Sequence, residues 1–480
     1  MNVTSNTRQY IADFEITNYV KEQMVIPGLY EVAIKRENSQ IEEQRRLIKD
    51  LESKFSLQNG SSFSNQVHFQ NAPKTPIQRW FPYREGYSIK LVEAFLNELD
   101  IQESVFDPFC GSGTTLLASR WNNVASYGID VNPISVLVAE VENSFYTSKD
   151  LDFLQKVIDD LSHLQVSCKI YKTSFTLSDK VFNETILHAL LQLKEYIEAI
   201  DYYGVQKILT IAWLSIVETV SNVKKEGNGI KYKNRKRTKN GYINIEQSVW
   251  EDANFPKDKF RFVVNILVEK LQMMLHDLKH HYGKVEKIPV IFQGDCLQFD
   301  KCFNDEIHFT FFSPPYCNCF DYFEIHKVEL WLSELVQNRK ELKELRTTGF
   351  RSNTNAGIDK PIVYHHPTLE KLLQLFDYQK LWHKKIPRVV MGYFDDMFML
   401  LKKLYQQTAK GGHVGIVVGN SAYTGVIIPT DILIADMAQQ LGFEVKNILI
   451  TRHLTTSSQQ KQQLESLKSY LRESIILLKK

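Results

Sequence analysis

Short apolar runs alternate with amphipathic stretches over much of the chain. The runs have the length of buried strands, and the stretches between them carry apolar residues at helical spacing. Strands are predicted at 104–106, 125–129, 288–292, 308–312, 415–419 and 445–451. Helices are predicted after several of these strands, at 116–121, 133–142, 391–407 and 434–441. This alternation predicts an α/β fold with a doubly wound sheet. The last stretch, 464–479, fits either a helix or a strand.

The alternation stops between about 149 and 282, where the pattern is helical. Helices are predicted there at 151–164, 185–200, 205–220 and 260–280. Since this region lies between the second and third predicted strands, we expect a large helical insertion within the α/β fold.

The first 58 residues are mostly polar and have a helical pattern. Ile41, Ile48, Leu51 and Phe55 stand at heptad-like spacing, but two heptads are too few to predict a coiled coil. We expect a helix that packs on the main domain, with a dimer contact as the alternative. The polar stretch 59–65 is predicted to be a loop or linker.

The patterns divide the chain into six segments. They are an N-terminal helical extension and linker (1–70), the first part of the α/β core (71–145), the helical insertion (146–285), the second part of the core (286–335), an irregular insertion (336–390) and the third part of the core (391–480).

Composition and charge narrow the class of protein. The chain has 480 residues, and a hydrophobic content of 43% supports a large core. The net charge of +2 gives no overall attraction to nucleic acid, so any such contact must come from a local patch. The six cysteines are scattered, which fits a reducing cytosol. No signal peptide is evident, and the longest apolar stretch, 208–217, is too short to span a bilayer. We therefore expect a cytoplasmic protein without a membrane partner.

The run Asp-Pro-Phe-Cys-Gly-Ser-Gly-Thr-Thr at 107–115 lies between a predicted strand and a predicted helix. Its glycines allow a sharp turn close to a ligand, and the helix presents free N–H groups to that ligand. A P-loop would need Lys and then Ser or Thr after the last glycine, where Thr114 and Thr115 stand. A dinucleotide fingerprint would need a small residue in place of Leu116. The run therefore predicts a different nucleotide-type site.

The run resembles motif I of the S-adenosylmethionine-dependent DNA methyltransferases that modify exocyclic amines, a family of bacterial modification methylases. A second run, Ser-Pro-Pro-Tyr at 313–316, follows a predicted strand and resembles the catalytic motif IV of that family. The resemblance covers about 75–145 and 286–455, with the motifs in the order X, I, II, III, IV. It implies a Rossmann-like class I methyltransferase fold with a seven-stranded sheet, with S-adenosylmethionine bound at the carboxyl ends of the first strands.

The resemblance also implies a set of cofactor-binding residues. Motif X supplies Tyr87, where the family usually has Phe, with core packing as the alternative for its segment, 79–96. Asp130 ends the second strand and would accept the ribose hydroxyls, or else would cap the helix at 133–142. Asp295 in motif III would accept a hydrogen bond from the adenine amine. The motif I candidates are Asp107, Phe109, Gly111, Ser112, Gly113 and Thr114.

Motif IV assigns catalysis to Ser313, Pro314, Pro315 and Tyr316. An exocyclic amine is conjugated with its ring and is a poor nucleophile. The hydroxyl of Ser313 and the carbonyl of Pro314 would accept its two hydrogens and direct its lone pair to the methyl sulfonium. Tyr316 would stack on a base flipped out of the duplex. In the family, Ser at the first position is associated mostly with N4-cytosine and Asp or Asn with N6-adenine. N6-adenine methylation is the alternative, ahead of an RNA amino-methyltransferase or a catalytically silent DNA-binding subunit.

The segment 224–239 holds eight basic residues and one acid, together with glycines that favour a flexible loop. We expect it to contact the phosphates of double-stranded DNA. A second DNA contact is expected from Arg351 in the irregular stretch 338–385, with an ordinary surface residue as the alternative. A cognate restriction endonuclease or other defence partner is possible, with the protein at the bacterial nucleoid. The DNA-binding candidates in the basic segment are Lys231, Lys233, Arg235 and Arg237.

Two groups of residues could suggest a metal. His276 and His280 have the spacing of a zincin helix, but no third ligand is evident. Cys317 and Cys319 are closer together than zinc ligands usually are. We expect exposed histidines and no metal site.

Overall fold

The computed structural model describes residues 27–68, 74–227, 229–238, 241–281, 287–455, 460 and 463–480, with the side chains of 27–38 left out. A central sheet of eight strands runs through it in the order β1-β13-β14-β10-β9-β2-β3-β8. Its strands are β1 (Leu57–Asn59), β2 (Ser104–Asp107), β3 (Ala125–Asp130), β8 (Val290–Gln293), β9 (Ile307–Phe312), β10 (Thr408–Gly419), β13 (Glu444–His453) and β14 (Arg472–Lys479).

All pairings in this sheet are parallel except the two that β14 makes with β10 and β13. The predicted doubly wound, Rossmann-like fold is confirmed, but the sheet has eight strands where seven were expected. The eighth strand, β1, is an addition. It pairs with β13, with Leu57 opposite Ile448 and Asn59 opposite Ile450. The predicted loop at 59–65 is therefore wrong at its start, because Asn59 completes a strand at the edge of the sheet.

Helices cover both faces of the sheet. They are α1 (Pro27–Glu52), α2 (Ile89–Glu98), α3 (Thr114–Trp121), α4 (Pro133–Asn143), α5 (Ser148–Ser162), α6 (Ser178–Val181), α7 (Glu184–Glu198), α8 (Tyr203–Val220), α9 (Gln247–Asn254), α10 (Lys259–His281), α11 (Tyr322–Ile325), α12 (Lys327–Leu332), α13 (Arg339–Thr348), α14 (Pro367–Gln374), α15 (Ile386–Gln407) and α16 (Thr430–Gln440). Short 3₁₀ turns add Ser61–Phe63, Cys296–Lys301 and Glu465–Tyr470.

The sheet separates two hydrophobic cores because successive side chains of a strand point to opposite faces. Val105 and Phe309 lie in one core, and Phe106 and Phe312 lie in the other. All four side chains are fully buried. A sheet buried on both faces carries its ligand site outside the carboxyl ends of its strands, where the chain is free to form loops.

The insertion between β3 and β8 contains helices α5 to α10, close to the predicted bounds. The predicted flexible loop at 224–239 is wrong, because it forms two β-hairpins instead. The first pairs β4 (Val223–Glu226) with β5 (Gly229–Tyr232), and the second pairs β6 (Arg235–Thr238) with β7 (Gly241–Asn244). The first hairpin is anchored by Lys225, which is buried and lies 2.6 Å from the carboxylate of Glu329.

Both ends of the described chain pack on the core that contains Phe106 and Phe312. Leu47, Ile48 and Leu51 of α1 are buried there, as expected for a helix that packs on the main domain. The stretch at 464–479, which sequence left open, forms a 3₁₀ turn followed by strand β14. A third small hairpin pairs β11 (Ser421–Tyr423) with β12 (Val426–Ile428). Among the described residues, no helix combines the length and the apolar character needed to cross a membrane.

Candidate active site

A cavity of about 360 Å³ opens at the carboxyl ends of β2, β3, β8 and β9. Its volume is in the range of small-molecule sites. Twelve of the thirteen predicted cofactor-binding and catalytic residues line it: Tyr87, Asp107, Phe109, Gly111, Ser112, Thr114, Asp130, Asp295, Ser313, Pro314, Pro315 and Tyr316. The thirteenth, Gly113, lies behind the cavity wall.

The two glycines of the motif I loop have different tasks. Both have left-handed backbones, with φ of +51° at Gly111 and +85° at Gly113. A Cβ on Gly111 would lie 2.9 Å from the ring of Tyr83 on the cavity side. A Cβ on Gly113 would lie 2.7 Å from the side-chain nitrogen of Asn143 in α4. Gly113 therefore permits close packing of α4 on the loop, and Gly111 permits close packing of the Tyr83 ring on it.

Asp107 and Tyr87 tie motif I to the segment before it. The Tyr87 hydroxyl donates to Asp107 Oδ2 at 3.1 Å and also contacts the hydroxyl of Thr115. The other Asp107 oxygen accepts the backbone N–H of Phe109 at 3.0 Å. Burial raises the pKa of Asp107 to about 7, although the hydrogen bonds from Thr115, Phe109 and Tyr87 act in the opposite direction. The side chains of Tyr87 and Asp107 thus hold the motif I loop in place through these hydrogen bonds.

Asp130 ends β3 and holds the neighbouring loop through two backbone groups. Its Oδ2 accepts from Gly111 N at 3.0 Å, and its Oδ1 accepts from Asn132 N at 2.8 Å. Burial raises the pKa of Asp130 to about 6, against the effect of these hydrogen bonds. The alternative of Asp130 as the cap of α4 is wrong, because Asn132 caps that helix by accepting from Ile134 N.

Asp295 follows β8 and lies on the cavity wall. Its side chain accepts the backbone N–H of Leu297 at 2.9 Å and caps a 3₁₀ turn. Asp130 and Asp295 therefore lie near the carboxyl ends of two adjacent parallel strands.

The Ser-Pro-Pro-Tyr run begins directly after β9 ends at Phe312. The Tyr316 hydroxyl donates to Glu473 Oε1 at 2.6 Å. Burial, reinforced by the negative charge of Glu473, raises the pKa of Tyr316 well above its ordinary value, so the hydroxyl keeps its proton. Gly419 makes room for this ring, because a Cβ there would lie 2.8 Å from it.

Sequence reasoning missed Glu473 and Arg452, which also line the cavity. They face each other across β13 and β14, and Arg452 Nε lies 2.5 Å from Glu473 Oε2. The acid is buried in β14, and a buried acid needs a partner. That signal was hidden because the stretch at 464–479 could not be assigned to a strand.

Two further missed residues come from the segment before motif I. The ring of Tyr83 packs on Gly111 and stacks on His326, with ring centroids 5.7 Å apart. Burial raises the pKa of Glu85 to about 7, although the positive charge of Lys225 lowers it. Both residues line the cavity, so the segment expected to be motif X forms part of its wall.

Arg351 does not present its guanidinium to the surface. Its side chain is buried and bonds Asp395 and Asp396, with nitrogen to oxygen distances of 2.5 Å. The prediction that Arg351 reads DNA is therefore wrong, because its guanidinium binds two carboxylates of α15.

The four predicted DNA contacts in the basic segment divide into two kinds. Lys233 is partly buried, and its ammonium donates to the carbonyls of Glu218 and Ser221 where α8 ends, at 2.6 and 2.9 Å. It therefore caps a helix and is not a free surface charge. Lys231, Arg235 and Arg237 are exposed.

The histidines of α10 surround a carboxylate that is already occupied. Ligand atoms of His276, Asp277 and His281 lie within 4.8 Å of one another. Asp277 is fully buried, and its oxygens accept from Arg79, Trp80 and the backbone of residue 77. The geometry gives Asp277 the role of joining α10 to the segment before α2.

A doubly wound sheet with a glycine loop, two strand-end carboxylates and a Ser-Pro-Pro-Tyr run at one cavity defines a Rossmann-like methyltransferase. The chain matches no protein-family model. It is 26% identical over 434 residues to the type II methyltransferase M.BsoBI of Geobacillus stearothermophilus, covering 82% of this chain and 84% of the relative. It is also 26% identical over 446 residues to the type II methyltransferase M.AvaI of Nostoc sp., covering 86% and 89%.

A third relative has a higher sequence identity over a shorter stretch. Over 81 residues, 17% of this chain and 15% of the relative, the identity to the type II methyltransferase M.MjaII of Methanocaldococcus jannaschii is 37%. These relatives confirm the resemblance to modification methylases that the motifs indicated.

Proposed function

We propose that the protein is a site-specific DNA methyltransferase that transfers a methyl group from S-adenosylmethionine to the N4 amine of a cytosine flipped out of the duplex. The observation that carries this proposal is the position of Ser313 to Tyr316 on the same cavity as the motif I loop and Asp130. The names of the relatives, all type II methyltransferases, support DNA as the substrate.

The residues of the cavity fit S-adenosylmethionine. A Cβ on Gly111 would meet the ring of Tyr83, so glycine lets this cavity-lining ring pack closely on the motif I loop. Asp130 would accept the ribose hydroxyls, and Asp295 would accept the adenine amine. The free N–H groups where α3 begins lie beside Ser112 and Thr114, which line the cavity. When bound, this cofactor supplies an electrophilic methyl group.

Ser313 and Pro314 would prepare the amine. The Ser313 hydroxyl and the Pro314 carbonyl would accept hydrogen bonds from its two N–H groups, draw the nitrogen out of conjugation and direct its lone pair to the methyl donor. Once the N–CH₃ bond has formed and the bond from the methyl group to sulfur has broken, the nitrogen loses one of its two protons. Pro315 helps to fix the direction of that carbonyl. Tyr316 offers a ring face for the flipped base. Its hydroxyl is already held by Glu473 at 2.6 Å, so the ring is oriented before the base arrives.

Cytosine is the preferred target because the first residue of the run is Ser. N6-adenine methylation uses the same acceptors and is the alternative. The partner is double-stranded DNA, contacted by exposed cations of the basic segment such as Lys231, Arg235 and Arg237. A restriction endonuclease of matching specificity is a further proposed partner, and the bacterial nucleoid is the proposed location.

The test is to produce the protein in a bacterial host that lacks DNA methylation and to analyse the nucleosides of the host DNA by mass spectrometry. We expect N4-methylcytosine. N6-methyladenine would keep the chemistry and overturn the choice of base. Absence of both products, with protein that binds S-adenosylmethionine, would overturn the proposed function.

A further inference from the structure

The β6–β7 hairpin is exposed on both faces. All eight residues of its two strands are exposed, including Tyr242 and Ile243, which leave 56% and 57% of their surface to solvent. A two-stranded hairpin in water is marginally stable by itself. Both faces of this ribbon are therefore free to contact a partner.

The charge of the hairpin identifies the partner. Residues 229–245 contain six Lys or Arg and no Asp or Glu. Such a ribbon is repelled by basic surfaces and attracted to a polyanion. The major groove of B-DNA is wide enough for a two-stranded β-ribbon. Duplex DNA therefore complements this surface in both charge and dimensions.

The register of the strands sorts the side chains between two faces. Residues directly opposite each other in an antiparallel pair lie on the same face, and alternate residues of one strand lie on opposite faces. Arg235 pairs with Asn244, and Arg237 pairs with Tyr242, so these four share the first face. Lys236 pairs with Ile243 on the second face.

The first face carries the residue types that read bases. Arg pairs with guanine and Asn with adenine, each through two hydrogen bonds in the major groove. The guanidinium of Arg235 lies over the ring of Tyr242, 4.3 Å from its centroid, which restrains it before DNA binds. The second face offers only Lys236 as a charged group between residues 235 and 238.

The stem of the hairpin is fixed. Asn234 bonds the backbone of Ile245 across the stem at 2.8 and 2.9 Å, and it also bonds Asn222. The adjoining first hairpin joins the cavity wall, because Arg84 lines the cavity and its guanidinium donates to the carbonyl of Lys225. The ribbon therefore projects from a base that is linked to the active site.

We propose that the β6–β7 hairpin enters the major groove beside the target base and that Arg235, Arg237 and Asn244 on its first face determine the methylated sequence. This inference rests on the proposed function. Lys236 on the second face contacts the phosphate backbone and contributes affinity for all sequences alike.

The experiment compares variants of the two faces in the full-length protein. Wild type, Arg237→Ala, Asn244→Ala and Lys236→Ala are each produced in a host without DNA methylation, and the methylated sites are mapped by single-molecule sequencing. Rates are then measured on the recognised duplex and on duplexes with one base pair changed. The substituted side chains are exposed, so the variants should have the same melting temperature as wild type.

The first-face variants should lose roughly 10- to 100-fold of discrimination at one base pair. Lys236→Ala should slow methylation of all duplexes equally and keep the same motif. Arg237→Lys keeps the charge and loses the two-pronged contact, so it should behave like Arg237→Ala. Unchanged motifs in both first-face variants, with methylation present, would overturn this inference alone. No methylation by the wild type would overturn the proposed function and this inference with it.

Discussion

The hydroxyl of Tyr316 donates a hydrogen bond to Glu473, 2.6 Å away and 157 residues later in the chain. The same carboxylate binds Arg452 at 2.5 Å. One buried acid thus connects the Ser-Pro-Pro-Tyr run to the antiparallel strands β13 and β14. The orientation of the ring predicted to stack on the base therefore depends on the last two strands of the chain.

Tyr316→Phe tests this relationship. The variant keeps the ring and removes the donor, which leaves one oxygen of Glu473 without its partner. An unsatisfied buried polar group costs about 1–3 kcal/mol, so we expect the free energy of unfolding to fall by that amount. Methyl transfer should slow about tenfold because the ring is less well fixed, a cost of about 1.4 kcal/mol.

The matched control is Tyr127→Phe. Tyr127 donates to Asp305 at the same distance, 2.6 Å, but the pair is exposed. This variant should change neither stability nor rate appreciably. Equal effects of the two substitutions would contradict a special role for the Tyr316–Glu473 bond.

Asp107 should make stability depend on pH. Its pKa is about 7 in the folded protein and 3.8 in the ordinary case. Between these values the folded state holds more protons than the unfolded chain, so stability falls as pH rises toward 7. Over the interval from about pH 5.5 to 7 the loss is about 2 kcal/mol, at about 1.4 kcal/mol per pH unit.

Asp107→Asn cannot ionise, so its unfolding free energy should decline less than that of wild type over this interval. Chemical denaturation at several pH values measures the difference. The exposed Asp305→Asn variant serves as control and should follow wild type. Parallel curves for wild type and Asp107→Asn would show that Asp107 is already ionised throughout.

Salt dependence separates the surface cations from the capping one. Each phosphate contact contributes about 0.9 to the slope of log K against log salt concentration. The double substitution of Lys231 and Lys236 by Gln should lower that slope by about 2. Lys233→Gln should instead reduce the melting temperature, because its ammonium caps α8. The measurement is duplex binding at several salt concentrations. A slope changed by Lys233→Gln and unchanged by the double variant would refute the assignment of Lys231 and Lys236 as phosphate contacts.

Arg351→Ala distinguishes a structural residue from a DNA contact. Removing one partner of a buried ion pair costs about 3–5 kcal/mol, because a charge is left uncompensated. We expect a loss of that size, since Asp395 and Asp396 would both lose their partner. A variant of unchanged stability with weakened DNA binding would restore the original prediction for Arg351.

The parts of the site that sequence predicted are those set by local backbone rules. The loop after β2 needs glycine at two left-handed positions, and the prolines after β9 restrict the chain in a way that can be read directly from residue types. Asp130 and Asp295 were found because each follows a recognisable strand. Local signals therefore predicted twelve of the residues that line the cavity.

The parts that sequence missed depend on contacts between distant segments. Glu473 could not be recognised before β14 was known to pair with β13. Arg351 has the composition of a DNA-reading residue, and only its partners 44 and 45 residues later show that it is buried. The basic segment has glycines that suggest a loop, but the buried ion pair of Lys225 with Glu329 supports hairpins.

The central claim is that Ser313 prepares an exocyclic amine for methyl transfer. Its most direct test uses purified protein, unmethylated duplex DNA and S-adenosylmethionine with a deuterated methyl group, followed by mass spectrometry of the nucleosides. We predict the labelled methyl on N4 of cytosine with wild type and a rate at least about a hundredfold lower with Ser313→Ala, while calorimetry shows nearly equal affinity for S-adenosylmethionine. Transfer by Ser313→Ala at the wild-type rate would contradict the account.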